Sequence, residues 1–205
     1  MKLLILAFKC LKQLKALVLC KFTTLMTRVV FILNGIDFKS GLSSSGMPSI
    51  HISMRGICKV GKNLTLGNWY VINASGICAK SKIEVRNNAE LTIGDNVGMT
   101  STTIMCHDKI TIGNNVMIGV GTHIYDTNFH NIDPTLRIGK NDPRESVKTR
   151  PITINDNVFI GAFSIILKGV NIGKNSVVAA GSVVTKSIPD NQIWGGNPAQ
   201  FIKNI

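Results

Sequence analysis

From residue 154 onward an aliphatic side chain returns at every sixth position: Ile154, Ile160, Ile166, Ile172, Val178 and Val184. The fifth residue of each unit is small or β-branched, as at Val158, Ser164, Val170, Ser176 and Ser182. The same beat runs upstream through Ile112, Ile118 and Ile124 and through Ile93, Met99 and Met105, with a weaker version at Val60, Leu66 and Ile72. Ordinary strands alternate with period two and helices repeat near 3.6, so a sustained six fits neither. It fits a coil. A short strand and a tight corner make one side of a triangular turn, and three sides close one coil. The aliphatic residue opening each unit then points inward and stacks on its equivalent one coil away. No single coil can bury its own face, so coils must stack into a continuous core. Corners need residues that tolerate positive φ or bond their own backbone, which Gly61-Lys62-Asn63, Gly94-Asp95-Asn96, Gly113-Asn114-Asn115 and Gly173-Lys174-Asn175 supply. The expectation is an all-β parallel β-helix; the alternative, a sandwich of evenly spaced short strands, does not require so strict a six.

Two stretches break the pattern. Residues 1–36 are read as a separate basic amphipathic helical segment ahead of a β-helix domain over 37–205. Residues 1–33 hold Lys2, Lys9, Lys12, Lys15, Lys21 and Arg28 and no acid, the first being Asp37. Lys9, Lys12 and Lys15 interrupt the apolar run before the ~20 residues of a membrane span, and no small-residue cleavage site follows to make it a signal peptide. Lys2, Lys9 and Lys12 share one side of a helical wheel, with leucines on the other. Either this helix lies at an anionic membrane surface, or it packs on its own coil or trimer. The second break is a loop over residues 126–151, where the beat stops after Ile124 and resumes near Ile152. Loops this long inside a compact repeat are usually functional or disordered. This one carries Asp126, Asn128, His130, Asp133, Arg137, Arg144, Glu145, Lys148 and Arg150.

Composition narrows the classes. The 205 residues suffice for one domain with a sizeable core. Apolar residues at 44% argue against disorder, and aromatics at 6% suit a coil of aliphatic ladders rather than a core of large rings. The net charge of +12 predicts attraction to phosphates, anionic lipid or nucleic acid. A nucleic-acid partner is not expected, because no interleaved aromatics or known module accompany the charge. Cys10, Cys20, Cys58, Cys78 and Cys106 form no C-x-x-C pair and are odd in number, which points to free thiols in a reducing compartment. No ligand spacing suggests a metal, and no Walker or Rossmann glycine signature is present.

The run Ile112 to Ile124, the stretch Tyr125-Asp126-Thr127-Asn128-Phe129-His130, and the C-terminal part from Ile154, with Gly181 to Asn191 followed by Gly195-Gly196-Asn197-Pro198-Ala199, resemble the hexapeptide-repeat O-acetyltransferases. The likeness is to the maltose and galactoside acetyltransferases and to related enzymes of bacterial surface-polysaccharide synthesis, over roughly residues 58–205. It implies a left-handed coil and a homotrimer with active sites between subunits. It also implies acetyl-CoA as acyl donor and a saccharide or lipid-linked saccharide as acceptor, in the cytoplasm or at the inner face of the cell membrane. Acyl transfer to a hydroxyl needs a base, because a neutral alcohol is a poor nucleophile near neutral pH, and histidine suits that role. The resemblance puts the catalytic histidine at His130. It puts His107 at the acceptor corner, where the galactoside enzymes carry an aspartate, and Asn128 beside it. Asp126 would bind acceptor hydroxyls, orient His130 or cap the loop. For the coenzyme the resemblance implies Gly161, Ala162, Ala179 and Ala180 along the coil edge, with Thr185, Lys186 and Lys203 toward the phosphates; Gln200 replaces a basic residue. His123 reads as a wall residue, His51 has no role, and Trp194 reads as packing at the core end. Sugar-amine N-acetylation, serine O-acetylation and a non-catalytic β-helix scaffold are the alternative functions. A scaffold has no need of a histidine in the loop or of Thr185-Lys186.

Overall fold

The structure is a computed structural model that describes residues 1–68, 79–138 and 143–205; Ile72 and Cys78 lie outside the described residues. The sixfold beat builds a three-faced parallel β-helix. The first face stacks Asp37–Phe38, Ile57–Val60, Glu90–Ile93, Lys109–Ile112, Ile152–Ile154 and Asn171–Ile172. The second stacks Ser43–Ser45, Thr65–Gly67, Gly98–Thr100, Met117–Ile118, Phe159–Ile160 and Val177–Val178. The third stacks Ser49–Ile52, Lys82–Val85, Thr103–Cys106, His123–Tyr125, Ile165–Leu167 and Val183–Val184. Ile112, Ile154 and Ile172 stand in register, as do Ile118, Ile160 and Val178. All six are buried. Each fully buried aliphatic side chain contributes about 1.5–3 kcal/mol relative to exposure, so the ladder is the main source of stability. Ser164, Ser176 and Ser182 take the fifth position and are buried, with hydroxyls donating to the carbonyls of Gly161, Pro189 and Ala179.

The beat slips once. Ile104, not Met105, faces the core, in register with Ile124. The corner after Met99 is one residue shorter than its successor after Ile118, so the inward position arrives early. On the same face Ile83 is buried in register with Ile50.

The first corner, between the first and second faces, shows how corner chemistry works. Asn63, Asn96, Asn115, Asn157, Asn175 and Asn191 all adopt φ between +57° and +60° or within a few degrees of it. Each side-chain amide donates to the next asparagine along the coil, from 63 to 96 at 2.8 Å through 175 to 191 at 2.8 Å. The asparagine therefore carries the left-handed turn. The glycine two residues earlier supplies close approach instead: a Cβ on Gly94 would meet the Gly113 carbonyl oxygen at 2.6 Å.

Both ends of the coil are covered. The helix Lys2–Leu33 docks its C-terminal half on the first coil, burying Thr23, Thr27 and Phe31. Thr23 Oγ1 donates to the Ser44 carbonyl at 2.6 Å, and Ser44 N–H donates to Thr24 Oγ1 at 2.9 Å. These hydroxyls satisfy a strand edge that would otherwise be open. Phe31 packs edge-on against Phe38, with centroids 5.4 Å apart. At the other end Gln192–Gly196 adds to the second face, and Ala199–Asn204 turns back antiparallel on it. Trp194 stands beside Val178 and packs on the core, with its indole N–H bonded to Gln192.

Candidate active site

The loop leaves the coil at the third corner, just after His123–Tyr125, and a buried carboxylate organises its departure. Asp126 is fully buried, and its two oxygens accept the backbone N–H groups of His107 and Asp108, each at 2.8 Å. Burial pushes the Asp126 carboxyl above the usual carboxylate range, against the pull of those two N–H donors. Of the roles expected for Asp126, the cap is the one these hydrogen bonds display: the carboxylate holds the His107–Asp108 corner. Thr127 pairs across the loop with Thr149, and Arg150 N–H donates to the Asp126 carbonyl, closing the base of the loop.

Above that base stands an aromatic cluster. Phe129 meets His107 edge-on at 5.7 Å and Tyr125 at 5.1 Å. Tyr125 Oη lies 2.7 Å from His123 Nδ1. His123 is thus engaged within the face, as expected of a wall residue. Phe129 has φ +63°, a left-handed conformation that costs a bulky L-residue about 1–2 kcal/mol. Backbone strain of this kind collects at functional sites, and here it sets the direction of the next residue, the exposed His130. Asn128 anchors its N–H on the Lys148 carbonyl, while its side-chain Nδ2 is buried and has no hydrogen-bond partner among the described residues. A cleft of about 420 Å³ opens beside this corner, lined among others by Arg86, Asn88, His107, Thr127 and Glu145. Glu84, nearly buried below it, pairs with Arg86 at 2.9 Å and Lys82 at 3.1 Å. Burial pushes its carboxyl up, but the Lys82 hydrogen bond and the two cations outweigh this and leave it below the ordinary glutamate range.

Cysteine chemistry is absent from this corner. Burial, reinforced by the Asp126 charge, pushes the Cys106 thiol far up, and burial alone raises Cys58 to about 12. Neither forms thiolate near neutral pH. The described cysteines are all free, and no cluster of metal-ligating side chains occurs among the described residues.

Of the residues expected to hold the coenzyme, Gly161, Ala162, Ala179 and Ala180 lie on the second corner, between the second and third faces. Gly161 and Ala162 stand against Ala179 and Ala180 in register, and Gly181 N–H donates to the Ala162 carbonyl at 2.7 Å. The approach is close: a Cβ on Gly161 would meet Ala180 N at 2.4 Å. The result is a shallow edge of small residues, with the exposed ring of Phe163 beside it. Thr185 and Lys186 follow Val183–Val184 onto the third corner, exposed, and Lys203 is exposed on the C-terminal strand. Sequence reasoning therefore gathered three groups that the fold separates. The acceptor-side residues and His130 share the third corner with Thr185 and Lys186 of a later coil, the small-residue edge runs along the second, and Lys203 lies on the second face. Sequence reasoning missed Phe129 and Tyr125, whose spacing next to two histidines was the available signal, and Glu84, which nothing in the pattern marked.

A family model described as the hexapeptide repeat of succinyl-transferase matches residues 151–186. The galactoside O-acetyltransferase of Lactococcus lactis is 42% identical over 95 residues, covering 43% of this chain and 44% of the relative. A 2,3,4,5-tetrahydropyridine-2,6-dicarboxylate N-acetyltransferase of Clostridium perfringens is 53% identical over 55 residues, covering 27% of this chain and 23% of the relative. The chain spans less than half the length of these curated relatives. Among solved structures, an AntD variant, an N-acyltransferase from Bacillus cereus in complex with dTDP-4-amino-4,6-dideoxyglucose and coenzyme A, superposes with a TM-score of 0.63 at 22% identity. The match covers 82% of both chains. That likeness is one of fold and sets this coil among the left-handed parallel β-helices.

Proposed function

We propose that the chain, whose repeat and relatives are those of hexapeptide-repeat acetyltransferases, is an acetyl-CoA-dependent O-acetyltransferase acting on a hydroxyl of a saccharide or lipid-linked saccharide. The observation that carries the reading is the third corner, where the strained Phe129 aims His130 out of a loop whose base Asp126 clamps. His130 takes the acceptor hydroxyl proton as the oxygen attacks the thioester carbonyl. It then returns that proton to the departing thiolate, so that the products are the acetyl ester and free coenzyme A. The unpartnered Nδ2 of Asn128 supports a donor role toward the acceptor, and His107 stands at the cleft beside it. The small-residue edge of Gly161, Ala162 and Ala180 suits an extended pantetheine chain bonded to backbone, with Thr185, Lys186 and Lys203 toward the phosphates.

A trimer completes this reading. The coenzyme edge and His130 occupy different corners of one coil, so a neighbouring copy would bring one set to the other. Exposed apolar side chains on the second face and its corner, Met117, Phe159 and Phe163, support contact between copies. The N-acetyltransferase relatives favour a second reading, transfer to an amine, for which an amino sugar is the candidate acceptor. One experiment separates the two: thiol release from acetyl-CoA across hydroxyl-only sugars, amino sugars, nucleotide sugars and lipid-linked glycans. Turnover with hydroxyl-only acceptors is expected. Turnover confined to amine acceptors would replace the O-transfer reading, and none with any acceptor would remove both.

A further inference from the structure

The N-terminal helix presents a face that the fold leaves uncovered. Lys2–Leu33 runs as one helix of 32 residues, about 48 Å at 1.5 Å per residue. Thr23, Thr27 and Phe31, four apart, form the line that docks on the coil. Leu4, Leu11, Val18, Leu25 and Ile32, seven apart, form a second line, and all are more than half exposed. Leu25 and Thr27 lie two positions apart, about 200° around the helix, so the apolar line points directly away from the coil. The N-terminal half has no such docking line. There Lys2, Lys9 and Lys12 lie on the side opposite the leucines, and Lys15, Lys21 and Arg28 flank the apolar stripe.

We infer that this face binds an anionic lipid bilayer, with the helix lying in the plane of the surface. Charge complementarity names the occupant: residues 1–36 carry six basic side chains and no acid, and basic side chains around an apolar stripe suit anionic headgroups above acyl chains. By length and composition the helix could also cross a membrane, with a mean hydropathy of 1.9 over its most apolar window. Only residues 16–33 meet that test with as few as two charged residues, and that stretch contains Thr23, Thr27 and Phe31, which are buried against the first coil. Crossing would strip those contacts and the Ser44 edge of its partners. A seam with a second copy is disfavoured too. Three positions beyond each member of the leucine line stand Ala7, Leu14, Lys21 and Arg28, which would set cations against cations in a coiled coil. At a bilayer the long Lys21 side chain reaches up to the headgroups, while Arg28 is turned to the Leu42 carbonyl of the first coil at 3.4 Å. The inferred placement stands the coil axis away from the surface, with the first coil nearest the lipid.

Co-sedimentation of the full chain with vesicles tests this and needs neither acetyl-CoA nor acceptor, so its failure leaves the transferase reading untouched. The chain is expected to pellet with phosphatidylglycerol-containing vesicles and far less with pure phosphatidylcholine. Replacing Lys2, Lys9 and Lys12 together by Gln should weaken partition about 100-fold, at about fivefold per basic residue. Leu4→Ser with Leu11→Ser should weaken it roughly 10-fold per leucine. These positions are exposed on the undocked half of the helix, so the coil should fold unchanged, which circular dichroism checks. Three results would overturn the inference: equal pelleting of all three chains, resistance of the bound protein to alkaline carbonate, or a leucine variant that binds vesicles normally but sediments as a smaller particle.

Discussion

The coils from Ile152 to Val184 and the segment 126–151 that precedes them differ in what fixes their shape. In the coils, buried aliphatic residues recur with the period of the backbone, and every inward position has an equivalent above or below it. Among the described residues of the segment, the fixed points are single polar interactions and ring contacts: the Asp126 clamp, the Thr127–Thr149 bridge and the edge-on contact of Phe129 with His107. A repeat tolerates an interruption because each coil rests only on its neighbours. Ile110, Thr111 and Ile112 pair with Ile152, Thr153 and Ile154 as though the loop were absent. The interruption is therefore free to carry chemistry, and a buried carboxylate together with the Phe129 ring contacts joins it to the scaffold.

Substitutions on the two sides of this contrast should separate stability from turnover. The largest stability effect belongs to the coil. Ile160→Ala should cost about 2–5 kcal/mol, read by chemical denaturation; a loss confined to turnover would mean that the ladder does not carry the fold. Asp126→Ala comes next, since it strips two hydrogen bonds from the part-buried N–H groups of His107 and Asp108, about 1–3 kcal/mol in all once water reaches those groups. It should lower both stability and turnover, because the carboxylate joins loop to coil. A variant that lost stability with turnover intact would detach the clamp from the site. Glu84→Gln should have the smallest effect, a modest loss at neutral pH that disappears in acid. The folded-state carboxyl is held below its ordinary value of 4.5, so its contribution is present above that value and is lost as pH falls through the depressed one. The Gln variant should therefore lose less stability on acidification than the parent. A parallel acid limb would show that the Lys82 and Arg86 pairs contribute nothing.

These differences also explain what could be read in advance. Ile154, Ile160, Ile166 and Ile172 were legible because period alone assigns them inward. Asn63, Asn96, Asn115 and Asn175 were legible because few residues accept positive φ. Met105 was misplaced because a one-residue change in corner length is invisible to a rule of sixes. His130 stood out as a histidine in the one long loop within the clear repeat. The role of Asp126 did not, since capping and acceptor binding ask for the same residue type, and only burial and two short hydrogen bonds tell them apart. Phe129 was passed over because strain at a bulky residue has no signature in composition.

The central claim is that His130 performs the proton transfer while the coil merely holds it in place. The most direct test is steady-state thiol release by His130→Ala, with sedimentation and thermal denaturation on the same preparation. The account predicts a roughly 10²–10⁴-fold fall in kcat with unchanged assembly and melting temperature. Turnover within a few-fold of the parent, from a protein equally folded, would contradict it.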